Sequence, residues 1–326
     1  MADYKAIKGH TIETVAGDPS VLQTGDIWYS STTRKIRGAK LAAGTWATET
    51  ACNTAREALG GGGSQTAAFI VGGDTPPRTA ICEEFNGSAW TESGDLPAAT
   101  SYTMGYGTQT AGMQALGQDA PGTPGYTTAT NEYNGSSWTS GGAINAGRAA
   151  ATGAGTQTAG IAMCGGSPGT LDITETYDGS SWTETTDSSN ARNYVSSLGT
   201  QTATLLFYGA NPSNLNGMAL TEEYNGTSWT ETGDMNNTRS GTGGGAGQGT
   251  TTAGLAFGGQ PGSKAFTESF NGTSWTEEAD LGTGRRMGSG AGNGPAALYT
   301  CGKTTANLTA CEAFTIAVGA VTFTSS

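Results

Sequence analysis

Histidine occurs once in these 326 residues, as His10 near the N-terminus. Its scarcity removes His-based triads, His-containing zinc sites and most copper sites from the candidate chemistries. Basic residues are also scarce. Lys and Arg number 15 against 27 Asp and Glu, the net charge is −12, and no Lys/Arg-rich run occurs. Nucleic-acid binding is thereby excluded, because phosphate neutralisation needs a basic surface. No apolar run reaches the roughly 18 residues of a membrane span. No basic-then-apolar segment opens the chain, so it is expected to be made in a cytoplasm, neither inserted into a membrane nor secreted. The five cysteines (Cys52, Cys82, Cys164, Cys301, Cys311) are scattered and form no CxxC. They read as free thiols of a reducing compartment. Helix-period apolar patterning is nearly absent, which points to an all-β chain.

What is abundant is glycine, 54 residues, beside only 35% hydrophobic residues. Without order in the sequence that mixture would suggest disorder, but the order is plain. Tyr224-Asn225-Gly226 is followed three residues after the glycine by Trp229. The device recurs at Phe85-Asn86-Gly87, Tyr133-Asn134-Gly135, Tyr177-Asp178-Gly179 and Phe270-Asn271-Gly272, with Trp90, Trp138, Trp182 and Trp275 downstream. Trp46 lacks the turn but keeps the pattern after it. The six tryptophans are 44, 48, 44, 47 and 46 residues apart. A period of about 40–50 residues with four short strand candidates predicts a four-stranded propeller blade. An Asn-Gly pair tolerates positive φ, so each turn is expected to be a two-residue type I′ hairpin.

Small residues fill the expected first strands (Gly60 to Gly63, Ala151 to Gly155, Gly241 to Gly247, Gly288 to Gly292), and aromatic bulk falls in the third and fourth. That taper suits blades converging on an axis. Five full blades end near Trp90, Trp138, Trp182, Trp229 and Trp275. A sixth has three strands after Trp275 and can take its fourth from the Trp46 segment. Such a splice joins the chain ends and removes exposed edges. The tail AVGAVTFTSS competes for that place, and in that case Trp46 begins a seventh, partial blade. The domain reading is therefore an arm and hairpin over 1–42, with Ile27-Trp28-Tyr29 against Lys35-Ile36-Arg37, and a propeller over 43–326.

Two charges keep the register. An arginine stands ten residues after the tryptophan at Arg56, Arg148, Arg192, Arg239 and Arg285, with Thr100 the exception. A glutamate stands two residues before the third-strand aromatic at Glu83, Glu175, Glu222, Glu268 and Glu312, with Asn131 the exception. One reading pairs them inside the scaffold, since a buried charge needs a partner. The other sets the arginines around the axial mouth as a grip on an acidic partner. The Gly-Thr-Gln-Thr and Asn-Gly turns share one face and are monotonous. The loops on the opposite face vary, and Arg78, Tyr126 and Asn214 in them are the candidate contacts of a partner.

Catalytic candidates fail on inspection. The pairs Glu83-Glu84, Glu222-Glu223 and Glu277-Glu278 sit at repeat-equivalent strand positions rather than converging. The glycine strings precede no helix, so no phosphate loop is expected. The N-x-[ST] sites at Asn86, Asn134, Asn225 and Asn271 are turns first. No catalytic residue, cofactor or metal is predicted.

The Gly-Gly that ends the second strand, the third-strand Glu-x-aromatic and the fourth-strand Trp together resemble the kelch repeat over about residues 43 to 316, apart from the tight Asn-Gly turns. Those turns also resemble sialidase Asp boxes, without the serine spacing. The start M-A-D-Y-K-A-I-K-G, the segment G-D-I-W-Y-S-S-T-T-R-K-I-R-G and the repeats of G-T-Q-T-A-G and N-G-T-S-W-T-E are similar to kelch-like propellers of tailed bacteriophages, notably those of marine bacteria and cyanobacteria. The resemblance implies a non-enzymatic virion protein made in the host cytoplasm and present in several copies. It implies further that residues 1–42 attach to other virion proteins and that the propeller is displayed on tail or capsid, reaching a glycan or protein of the host surface. The alternative is a free lectin-like or scaffold module that takes glycan or peptide through the variable loops.

Overall fold

The computed structural model describes residues 12–120, 125–166, 168–241, 245–246 and 251–323. The expected arm before residue 12 and most of the expected strand at 241–247 lie outside these. All regular structure among the described residues is β. The chain divides into two units, Met1–Gly44 with Ile316–Ser326, and Thr45–Thr315.

The larger unit is a ring of six four-stranded blades. The first blade is Gly60–Gly63, Ala68–Val71, Cys82–Phe85 and Trp90–Ser93, paired antiparallel in chain order. Blades two to five repeat it around Trp138, Trp182, Trp229 and Trp275. The sixth consists of Ser289–Asn293, Ala296–Thr300 and Cys311–Thr315, with Thr45–Glu49 as its outer strand, Phe314 opposite Trp46. The ring is thus zipped by its two chain ends, and six blades is the outcome. The tail is no rival for that place.

Instead, Val318–Thr322 pairs with Lys35–Leu41 in the smaller unit. That sheet also contains Ile27–Ser30, antiparallel to Lys35–Leu41, and Glu13–Val15, which runs parallel to Ile27–Ser30. The hairpin is as expected, but the unit takes its fourth strand from the C-terminal tail, so a boundary at 42 divides the chain incompletely.

The Asn-Gly turns differ from expectation. Phe85 pairs with Trp90, which leaves a four-residue loop, and only Gly87 has positive φ (89°). Asn86 keeps ordinary φ because its side chain is engaged: Oδ1 accepts from the backbone N–H of Ser88 (3.0 Å) and of Ala89 (2.9 Å). An Asx-type loop of this kind substitutes side-chain for backbone turn bonding. The same pair of bonds holds the loops at Asn134, Asp178, Asn225 and Asn271.

Each fourth-strand tryptophan packs on the third-strand aromatic paired with it, with centroids 4.7 Å apart in the stacked pair Tyr133–Trp138 and 5.2 Å in the tilted pair Phe314–Trp46. It also reaches the preceding blade. Trp138 meets Phe69 edge-on, and Trp46, Trp182 and Trp275 donate Nε1–H to Thr267, Thr130 and Thr221. Gln109, Gln157, Gln201 and Gln65 bolt blades together from the opposite edge. Gln157 Nε2, for example, donates to the carbonyls of Gly112 (3.1 Å) and Tyr133 (2.9 Å) of the blade before it. At the axis the first strands come so close that a Cβ on Gly105 would lie 2.4 Å from the Gly61 nitrogen. Only glycine allows that approach, which is why a protein so poor in hydrophobic residues still packs.

Candidate functional site

The two faces of the ring are built differently. On one lie the Gly-Thr-Gln-Thr turns and the Asn-Gly loops. On the other, the segment entering each blade bridges to the loop between that blade's second and third strands, at Glu57–Asp74, Ser101–Gln118, Ala149–Gly166, Asn193–Ala210, Ser240–Gln260 and Arg286–Lys303. This is the variable face.

Beneath those bridges the backbone closes on itself. The residue twelve after each tryptophan (Ala58, Tyr102, Ala150, Tyr194, Gly241, Met287) has positive φ, from 51° to 75°. Each donates its N–H to the carbonyl of its counterpart in the preceding blade. The bonds are Tyr102 to Ala58 (2.7 Å), Ala150 to Tyr102 (3.0 Å), Tyr194 to Ala150 (2.9 Å), Gly241 to Tyr194 (3.2 Å), Met287 to Gly241 (3.0 Å) and Ala58 to Met287 (2.8 Å). Six peptides therefore form a closed head-to-tail circle around the axis. The left-handed conformation is what turns each N–H toward its neighbour, so even non-glycine residues are held in it.

Below the circle, an axial cavity of about 100 Å³ runs between the first strands. On the variable face a cavity of about 440 Å³ is lined by Tyr102, Tyr126 and Tyr194, the carboxamides of Gln118, Asn193, Asn211 and Gln260, and Leu215. Tyr102 and Tyr194 face each other nearly perpendicular, centroids 6.1 Å apart. Burial pushes the Tyr102 phenol up to about 12, with a smaller contribution from Tyr194, and burial raises Tyr194 likewise. Both therefore remain neutral donors through the physiological range. None of the described residues lining this cavity is charged.

The predicted contacts separate. Tyr126 lines the cavity. Asn214 lies in an exposed turn beside the lining residue Leu215, its N–H bonded to the Asn211 carbonyl. Half-buried Arg78 reaches back into the scaffold, donating to Ser101 Oγ (2.8 Å) and Gln118 Oε1 (2.7 Å). It fixes a wall of the cavity through Gln118.

The arginine register is a correction. Arg56, Arg148, Arg192, Arg239 and Arg285 do not form a grip at the mouth. Each is 0% exposed and paired with the third-strand glutamate of its own blade, from 2.7 Å at Arg148–Glu175 to 3.1 Å at Arg56–Glu83, and with Arg285–Glu312 shorter still. The glutamates also accept backbone N–H groups from the entering segment, as Glu175 does from Asn145 (2.9 Å). A buried ion needs a partner of opposite charge, and these pairs tie each third strand to the segment that enters its blade.

Tyr102 and Tyr194 were missed by the sequence reading. The available signal was the position twelve after the tryptophan, where size varies from glycine to tyrosine while its neighbours keep register. Among the described residues no group of three or more His, Cys, Asp or Glu could hold a metal, and no helix is long and apolar enough to cross a membrane. All five cysteines are buried free thiols.

No family model and no curated protein matches the chain. Among solved structures it is similar to that of YjhT, a β-propeller-type protein, with a TM-score of 0.65 at 13% identity. The match covers 83% of this chain and 99% of that one. The likeness bears on the fold alone and agrees with an all-β propeller.

Proposed function

We propose that this protein is a non-enzymatic, kelch-like binding propeller of a tailed-bacteriophage virion, attached through its smaller unit and recognising the host surface with its variable face. The observation that carries the reading is the asymmetry of the ring. One face repeats the same Gln bonds in four blades and the same Asn or Asp loop in five, whereas the other varies in every loop and opens a neutral, tyrosine-lined cavity. A rigid ring that varies on one side is how scaffolds present recognition loops. The neutral lining favours binding over acid–base chemistry.

Attachment draws support from the smaller unit. Of the six large apolar side chains exposed among the described residues, Val21, Ile27, Ile36, Leu41 and Phe323 belong to it. Exposed apolar groups gathered in one small unit suit a surface that is covered in an assembly. The resemblance of the opening segments and repeats to phage propellers supplies the virion.

The test is gold-labelled antibody against the protein on intact, purified particles. Label at tail or capsid is expected, in several copies per particle. Protein found only in the lysate and absent from particles would overturn the reading and select the alternative, a free lectin-like or scaffold module using the same loops.

A further inference from the structure

We infer that the cavity on the variable face is a binding site for a neutral saccharide, held against the wall that Tyr102 and Tyr194 form together. The inference rests on the reading of that face as the recognition surface and names its ligand class. Three observations converge on it.

The first is the choice of residue on the backbone circle. All six positions are left-handed, a conformation that glycine adopts freely and side chains resist. Blade five uses Gly241 there, blades one and three use Ala58 and Ala150, and blade six uses Met287. Blades two and four instead hold tyrosine in the strained conformation, and those two rings form the wall of the cavity. The scaffold closes without them, so the rings are not required by the fold.

The second is the polarity of the lining. Phenol hydroxyls and the carboxamides of Asn193 and Gln260 can both donate and accept, while Gln118 Oε1 already accepts from Arg78 and Asn211 Oδ1 from the N–H groups of Ser213 and Asn214. Sugar hydroxyls need that dual capacity, while the apolar C–H face of a pyranose suits an aromatic ring.

The third is charge. A desolvated ionic ligand needs a counter-charge, and the described lining has none. Of the charged groups around the lining, Glu57 accepts from Lys303 Nζ (2.6 Å), Arg78 donates to Gln118 and Ser101 behind the wall, and Asp74 is at the bridge to Glu57. A net charge of −12 further disfavours acidic sugars. At about 440 Å³ the cavity lies within the small-molecule range of about 300–1,000 Å³.

The full-length protein would be titrated calorimetrically with glucose, galactose, mannose, N-acetylglucosamine and their common disaccharides, beside glucuronic acid, a sialylated sugar and short aromatic peptides. Saturable binding of at least one neutral saccharide is expected, about tenfold weaker in Tyr102→Gly and in Tyr194→Gly. Gly241 shows that glycine fits the circle, so these variants keep the fold, checked by an unchanged thermal transition and circular dichroism. Binding only of charged sugars or peptides, no binding of any neutral saccharide, or binding unaffected in the double variant would overturn the inference. Virions carrying the double variant distinguish the two readings. Host adsorption that persists sinks the saccharide site and leaves the displayed propeller standing. Sugar binding by a protein absent from virions does the reverse.

Discussion

Thr100 and Asn131 of the second blade occupy together the positions that arginine and glutamate occupy together in the other five. The Asn131 carboxamide donates to Gln114 Oε1 (2.6 Å), and Gln114 Nε2 donates to Thr103 Oγ1 (2.6 Å). Gln114 is paired across the sheet with Asn131, where other blades place Ile70, Ala162, Leu206, Ala256 or Tyr299 opposite the glutamate. Both charges are exchanged at once for a neutral network because either ion alone would be buried without its partner.

Breaking one pair should therefore cost far more than replacing the set. Arg148→Met leaves Glu175 charged and buried, and is expected to destabilise by about 3–5 kcal/mol. The transplant of the second-blade set, Arg148→Thr with Glu175→Asn, Ala162→Gln and Ala151→Thr, is expected to recover much of that loss. Urea denaturation measures both. A quadruple variant no more stable than the single one would mean the two arrangements are not interchangeable.

Gln157→Leu removes two hydrogen bonds to the Gly112 and Tyr133 carbonyls at a blade boundary. A loss of about 1–3 kcal/mol follows from removing both bonds. Hydrogen exchange should rise in the strands facing that boundary and hardly change across the ring. Uniform acceleration in all six blades would show that the bolt is not local.

Trp46 and Phe314 join the two ends of the chain. Trp46→Ala is expected to cost about 3 kcal/mol from lost packing, and to accelerate exchange in Thr45–Glu49 and Cys311–Thr315 before any other blade. If those strands stay as protected as the rest, ring closure does not depend on this contact.

Asp178 is the one carboxylate among the five turn residues. The backbone N–H of Ser181, then the N–H and hydroxyl of Ser180, hold its carboxyl down to about 2. Because the folded group is the stronger acid, its stabilising contribution is present above the usual carboxylate range and disappears as pH falls through about 2. Carboxyl NMR should place the midpoint near that value, and Asp178→Asn, which copies the other four loops, should remove the dependence. A midpoint near 4 would show that the loop bonds do not form in solution.

Much of the architecture was legible because a blade is a local object. Tryptophan spacing, Gly-Gly ends and the Asn-Gly-x-x-Trp loops all act within some fifty residues, and each blade repeats the same short-range geometry. The turn type was misread because the sequence shows that Asn-Gly tolerates positive φ but not that the Asn side chain will take over the bonding. The arginines were ambiguous for a similar reason. Their register shows that every blade needs them, whereas whether a guanidinium meets solvent or a glutamate depends on where the entering segment lies against the third strand.

The amino-acid order alone determined a closed all-β repeat with small residues at its axis, since side-chain size and turn chemistry act on near neighbours. Tertiary structure decided what depends on distant residues meeting. It placed the tail beside Lys35–Leu41, buried five ion pairs, and brought Tyr102 and Tyr194, 92 positions apart in the chain, to one cavity. Their positions on the backbone circle follow from six peptides bonding across blade boundaries, and no single repeat specifies that arrangement.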